Sequence, residues 1–161
     1  MVSTESSQPS MKTKQHFPVL SLIRTSFAVN PLLTLGIVVN LLVLVAALIG
    51  IIVDPRIITG VPAWVKPSKF AISISVYSLT LLWFLSFIKG HKRLVAASGN
   101  IIAIVLSIEM AIILAQVIRG TTSHFNISTP FDATLWTLMG AFILLLFVMN
   151  LVVAILLLLQ R

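Results

Sequence analysis

Four apolar runs, at about residues 31–53, 68–88, 96–118 and 131–159, constrain this 161-residue chain more than any motif in it. Each is close to or above the roughly 20 residues that a helix needs to cross a hydrocarbon core. Inside lipid no water is available to backbone N–H and C=O groups, so runs of this length must close their hydrogen bonds within themselves, as helices. The expected fold class is therefore all-α, a four-helix transmembrane bundle with a polar N-terminal tail. A soluble fold is excluded, because 58% hydrophobic and 9% charged residues cannot cover a water-facing surface, where roughly 25% charged is usual.

The ends of the runs carry stop and start signals. Asn30 before Pro31 reads as an N-cap followed by a first-turn proline, and Asp54-Pro55 stops that helix. Pro67 opens the second run and Gly90 follows it, while Thr129, Pro130 and Asp132 form a cap, a first-turn proline and a capping-box-like acid for the fourth. The fourth run exceeds the hydrocarbon thickness and must tilt or project. Residues 1–16 are polar and Ser-rich without an apolar stretch, so a disordered tail is expected there, followed by a short amphipathic helix on the membrane surface over 17–27 around Arg24. This divides the chain into a tail and amphipathic segment, 1–29, and a four-helix domain, 30–161. The first apolar run is too late and too long for a cleaved signal peptide and reads as a retained helix. No internal repeat appears, which leaves an inverted-repeat transporter without support.

Basic residues orient such a bundle. With the N-terminus inside, Lys12, Lys14, Arg24, Lys89, Lys92, Arg93 and Arg161 lie on the inner side, against Arg56, Lys66, Lys69 and Arg119 outside. The asymmetry predicts both termini in the cytoplasm, with the lipid bilayer as the chain's first partner. The net charge of +7 is spread between apolar runs rather than clustered on a solvated face, so nucleic acid is not expected as a partner.

Glu109 stands inside the uninterrupted apolar run 101–118, in a chain with four acidic residues. A charge at that depth costs about 2.5–3.5 kcal/mol on the insertion scale, so the side chain should face the bundle interior and find a partner. Rise arithmetic places Asn40, Ser78 and Asn150 about 13–15 Å from the inner ends, Tyr77 and Ser107 about 16 Å, and Glu109 about 20 Å. Lys69 starts roughly 9 Å above Glu109 on the neighbouring helix and is the preferred charged partner. The alternative is a carboxyl kept neutral by burial and hydrogen-bonded to Ser or Asn as packing glue.

A second polar group gathers at the outer ends. Lys66 and Lys69 begin the second helix, Arg119 ends the third, and His124, Asn126 and Asp132 follow closely. Together they form a candidate ligand-binding set: Lys66, Lys69, Arg119, His124 and Asn126 at the mouth, with Glu109 beneath. The plain alternative is that the cations snorkel to lipid phosphates, Asp132 caps its helix and Asn126 closes a turn. Trp64 and Phe125 would sit at headgroup level.

Other chemistries find little support. His91 and His124 lie at opposite ends of the third helix and cannot share a haem, no compact metal-ligand spacing is present, and no nucleotide or nucleophile-elbow motif occurs. Ser123 beside His124 does not by itself make a nucleophile and base, and without cysteine there is no thiolate chemistry. No catalytic residue, metal or cofactor is assigned.

The strings WVKPSKF, residues 64–70, and RGTTSHFN, residues 119–126, resemble features of an uncharacterised family of small multi-pass bacterial membrane proteins. The resemblance runs from the second helix to the fourth and carries over no catalytic residue. It implies an inner-membrane setting and draws attention to the same outer-end residues. The resulting expectation is a membrane protein that binds, senses or moves a small anionic or lipid-like ligand through an outward-facing polar pocket. An accessory subunit packing a homo-oligomeric or other membrane partner through Ala46 and Gly50 is the alternative, and a membrane-embedded enzyme acting at His124 the third.

Overall fold

The computed structural model describes residues 18–160. Five helices follow one another: α1 Pro18–Val29, α2 Pro31–Val53, α3 Val65–Phe87, α4 Lys92–Ile118 and α5 Pro130–Leu158. Between α2 and α3 lies a small hairpin, β1 Ile57–Ile58 paired antiparallel with β2 Val61–Pro62. The last four helices are long and apolar enough to cross a membrane. Their outward surfaces display Leu42, Val45, Ile52, Trp83, Leu144 and Phe147, all more than half exposed. Apolar surface on this scale belongs in hydrocarbon. Residues 1–16, where the sequence leads one to expect a disordered tail, and the start of the amphipathic segment fall outside the described residues.

Sequence logic accounts for most boundaries. Asn30 is extended, and its Oδ1 accepts from the Leu33 amide at 2.9 Å, capping α2 as its position before Pro31 predicts. The same side chain donates to Asn100 Oδ1 on α4 at 2.9 Å, tying the α1–α2 junction into the bundle. Thr129 caps α5 by accepting from the Asp132 amide at 3.1 Å. Two helices start earlier than hydropathy predicts. α3 begins at Val65, where Pro67 is tolerated in the first turn because its missing N–H would have no intrahelical acceptor. α4 begins at Lys92, directly after Gly90 and His91 turn the chain with positive φ. Lys92 and Arg93 are thus its first turn, and the basic connection shrinks to 88–91.

α4 is the central span. It contacts α2, α3 and α5, while α3 packs closely on α2 and meets α5 only sparingly. The described part of α1 leans on α2 and α3, with Leu22 and Phe27 left exposed. Towards the end bearing Asn30, Leu33 and Ile37 of α2 meet Leu81, Leu82 and Leu85 of α3, Ile102 and Ala103 of α4, and Val153 of α5. Farther along, Ala71 and Ile74 pack on Met110, and Ile112 and Ile113 pack on Met139. With lipid tails as apolar as leucine, close van der Waals approach rather than water exclusion holds such contacts, which explains fully buried Ala47 and Ala71 at the tight crossings.

The hairpin end is clasped by a charge network. Asp54 accepts from Arg56 Nη2 at 2.6 Å and from Trp64 Nε1 at 2.7 Å. Arg56 also donates from Nη1 to the Val117 and Ile118 carbonyls at 3.2 and 3.3 Å, at the negative end of the α4 dipole. The Trp64 ring lies against Gly50 so closely that a Cβ there would stand 2.5 Å from Trp64 Cγ. Gly50 is therefore covered from within by Trp64, while Ala46, the other small residue of the seam expected for a partner helix, is exposed. Trp64, expected at headgroup level, is held as a clasp between Asp54 and Gly50. Thr59 and Gly60 turn the hairpin with φ of 52° and 81°, the primed geometry that two-residue hairpins use and that a β-branched threonine adopts under strain.

Candidate functional site

Of the residues expected at a common mouth, Lys66 and His124 lie near each other, while Arg119 and Asn126 are engaged in bonds of their own. Arg119 Nη1 donates to Asp132 Oδ1 at 2.6 Å and to Gln116 Oε1 at 2.5 Å, and its guanidinium lies 4.8 Å from the centre of the Phe131 ring. Asp132 also accepts from Gln116 Nε2 at 2.8 Å and from Thr129 Oγ1 at 2.7 Å. Arg119 is thereby committed to joining the end of α4 to the start of α5. Asn126 Nδ2 donates to Thr121 Oγ1 and the Thr122 carbonyl, both at 3.0 Å, while its Oδ1 accepts from the Ser128 hydroxyl at 2.7 Å. It closes the loop 119–129 upon itself, as the turn alternative anticipates.

Lys69 is exposed and makes no hydrogen bond or ion pair among the described residues. Lys66 reaches a cavity of 50 Å³ beneath the hairpin, lined also by Thr121, Thr122 and Ser123. His124 sits between Phe70 and Trp136, 5.6 Å from each ring centre, with Nδ1 3.0 Å from Ser123 Oγ. Burial, reinforced by the nearby Lys66 charge, holds the imidazole below its ordinary pKa. Among the described residues no carboxylate hydrogen-bonds it, and the Asp132 oxygens are taken by Arg119, Gln116 and Thr129. Asp54 is held below the usual carboxylate range by hydrogen bonds from Arg56 and then Trp64.

The deeper acid behaves differently. Glu109 faces inward, 2% exposed, as the cost of a lipid-facing carboxyl requires. Among the described residues neither of its oxygens has a hydrogen-bond partner. The expected Lys69 contact is absent for a reason of helical phase. Phe70, Ile74 and Tyr77 line the face turned towards α4 and α5, whereas Lys69, about 100° from Phe70 and one turn before the exposed Ser73, lies on the outer flank of that face. Lys66 shares the phase but lies a turn beyond Phe70.

Glu109 forms the floor of a crevice of about 210 Å³. Phe70, Ser73, Ile74 and Tyr77 of α3 make one wall, Ile143 and Leu146 of α5 the other, and Leu106 shares the floor. The crevice exists because α3 and α5 splay apart over α4. One end is tied by Tyr77, whose hydroxyl donates to Asn150 Oδ1 at 2.7 Å. The other is filled by the Phe70, His124 and Trp136 rings. Its flank is open: Ser73 is exposed and Ile143 is 51% exposed on the surface that faces lipid in a membrane. Asn40, expected near this floor, instead donates to the Gly36 carbonyl of its own helix at 2.8 Å and leaves Oδ1 unpaired outside the crevice.

The sequence marks Glu109 and the shared depth of Tyr77 and Asn150, but not the splay that opens a crevice between α3 and α5. Among the described residues no three His, Asp or Glu side chains gather as a metal ion would need. Comparison of the chain with protein-family models, curated proteins and solved structures gives no match. Function must be argued from this geometry.

Proposed function

We propose that this multi-pass protein binds a lipid-like molecule that enters sideways from the bilayer into the crevice between α3 and α5, and so senses or moves it. One observation carries the reading: a fully buried carboxyl without a partner among the described residues lines an apolar cavity open to the lipid side. A stable fold gains nothing from such a group, because leaving a buried polar atom unpaired costs about 1–3 kcal/mol. Ionisable side chains at membrane depth characteristically mark substrate, ion or proton paths. The cavity takes a small head and the first part of a chain, with the remainder lying along Ile143 in the bilayer. A free anion drawn in through an outer basic mouth fits less well, since Arg119 and Asn126 are engaged within the protein.

The reading predicts that a photoreactive long-chain alcohol, dodecanol carrying a diazirine near its hydroxyl, crosslinks to residues 70–77 and 143–146 of the protein in lipid nanodiscs. Ile143→Trp fills the crevice and should abolish those crosslinks. Leu144→Trp, at a 65% exposed neighbour that does not line it, should preserve them. Equal labelling of both variants would mean that the probe reports only general lipid contact, and the proposal would fall.

A further inference from the structure

Resting on the crevice reading, the chemistry of its lining also selects the head of the ligand. We infer that the crevice is a site for a lipophilic ammonium, an alkylamine whose cationic head meets Glu109 and whose chain passes out between α3 and α5.

Three observations support this class. First, the lining holds one ionisable side chain besides the Tyr77 phenol, and it is an acid: no lysine, arginine or histidine lines the cavity. An anionic head would meet Glu109 without any compensating donor, whereas an ammonium, met by a rotation of the covered Glu109 side chain, would supply the donors that both carboxyl oxygens lack among the described residues. Second, the wall carries the Ser73 hydroxyl, which is in no side-chain hydrogen bond among the described residues. It can accept the remaining N–H of an ammonium. Third, Phe70 and Tyr77 supply aromatic faces, which attract alkylammonium groups and offer nothing to a carboxylate or phosphate.

Depth decides between a free amine and an aminophospholipid. Glu109 lies nine residues, about 13 Å, from the nearer end of α4 at Ile118. A phospholipid amine is tethered to a phosphate that stays in the interface, and the lining offers that phosphate no cation. The cavity of about 210 Å³ corresponds to roughly seven waters at their liquid volume, room for an ammonium and a few methylenes. The occupant is therefore a single-chain amine soluble in hydrocarbon.

The test uses the full chain in nanodiscs with three diazirine probes of equal chain length, dodecylamine, dodecanol and dodecanoate, and a fourth, a phosphatidylethanolamine carrying the diazirine in its headgroup. Crosslinks within residues 70–77 and 143–146 should favour dodecylamine over dodecanol by at least about tenfold, the usual margin of a charge-assisted hydrogen bond, with dodecanoate and the phospholipid at background. Glu109→Gln keeps the side chain's shape and should remove that preference while leaving dodecanol labelling unchanged, which also shows that the variant is folded. Equal labelling by amine and alcohol, a preference for dodecanoate or the phospholipid, or an amine preference that survives Glu109→Gln would each overturn the ammonium assignment while the crevice reading stood. Dodecanol labelling unaffected by Ile143→Trp would instead overturn the crevice itself.

Discussion

Replacing Glu109 with leucine should make the fold more stable, an unusual outcome for a fully buried position. The wild-type carboxyl is 2% exposed, and neither oxygen is hydrogen-bonded. Folding therefore strips it of the water or headgroup contacts open to a disassembled chain and returns nothing, at a cost of about 1–3 kcal/mol. Leucine has a similar volume, is a good helix former and is favoured at bilayer depth by about 0.3–0.6 kcal/mol. Beside Leu106, Met110 and Ile113 it adds apolar contact without overpacking, since the crevice lies open in front of it. The sum is a gain of about 1.3–3.6 kcal/mol, or roughly nine- to 400-fold in the unfolding equilibrium. Reversible unfolding by increasing dodecyl sulfate in mixed micelles, followed by circular dichroism on delipidated protein, measures this directly. A loss of 1 kcal/mol or more in the leucine variant would refute the reasoning, because it would show that Glu109 has a stabilising partner in the native bundle.

Further expectations concern the scaffold. Gly50→Ala places a methyl 2.5 Å from Trp64 Cγ and should destabilise the same unfolding transition by about 1–3 kcal/mol; adding Trp64→Ala should recover part of the loss, and a silent Gly50→Ala would remove the clasp. Cysteines introduced singly at Gly90 and Thr121 into this cysteine-free chain should react with impermeant maleimide from opposite faces, Thr121 from outside if the basic asymmetry orients the bundle; reaction from one face alone would break the four-span topology. His124 binds its proton less readily when folded than its ordinary value of 6.5, so the unfolded chain takes up the proton first. Stability is then full above about pH 6.5 and declines as pH falls through that value, and the melting temperature should drop between pH 7.5 and 5.5 in the wild type and drop less in His124→Phe. Equal slopes in the two proteins would contradict the buried neutral imidazole.

What the sequence made legible follows from how locally each feature is determined. The four spans are properties of composition over about 20 residues, and the Asn30 and Thr129 caps are short-range, so all were readable. The early starts of α3 and α4 were missed because hydropathy stops at Lys66, Lys69, Lys92 and Arg93, while lysine and arginine are good helix formers whose dihedrals continue the helix. The hairpin had a signal in Thr59-Gly60 between Ile57-Ile58 and Val61-Pro62, obscured by its brevity. That Glu109 faces inward follows from transfer cost alone. Its lack of a partner depends on how far α3 is rotated about its axis, and no local rule supplies that angle. The commitment of Arg119 to Asp132 was closer to the surface of the sequence: opposite charges at the adjoining ends of consecutive helices, with Gln116 one turn before.

Carbodiimide labelling reaches the central claim most directly. Dicyclohexylcarbodiimide is apolar, travels through hydrocarbon and forms a stable adduct with carboxyl groups in apolar surroundings. Of the described acids, Asp54 and Asp132 are held in ion pairs and Glu109 alone lines a lipid-open cavity. In nanodiscs, mass spectrometry should find the adduct on Glu109, its formation slowed by dodecylamine and by Ile143→Trp, with a water-soluble carbodiimide failing to reach the same residue. A Glu109 that stays unmodified by the apolar reagent, or that is modified equally well by the water-soluble one, would contradict a partnerless carboxyl in a crevice open to lipid.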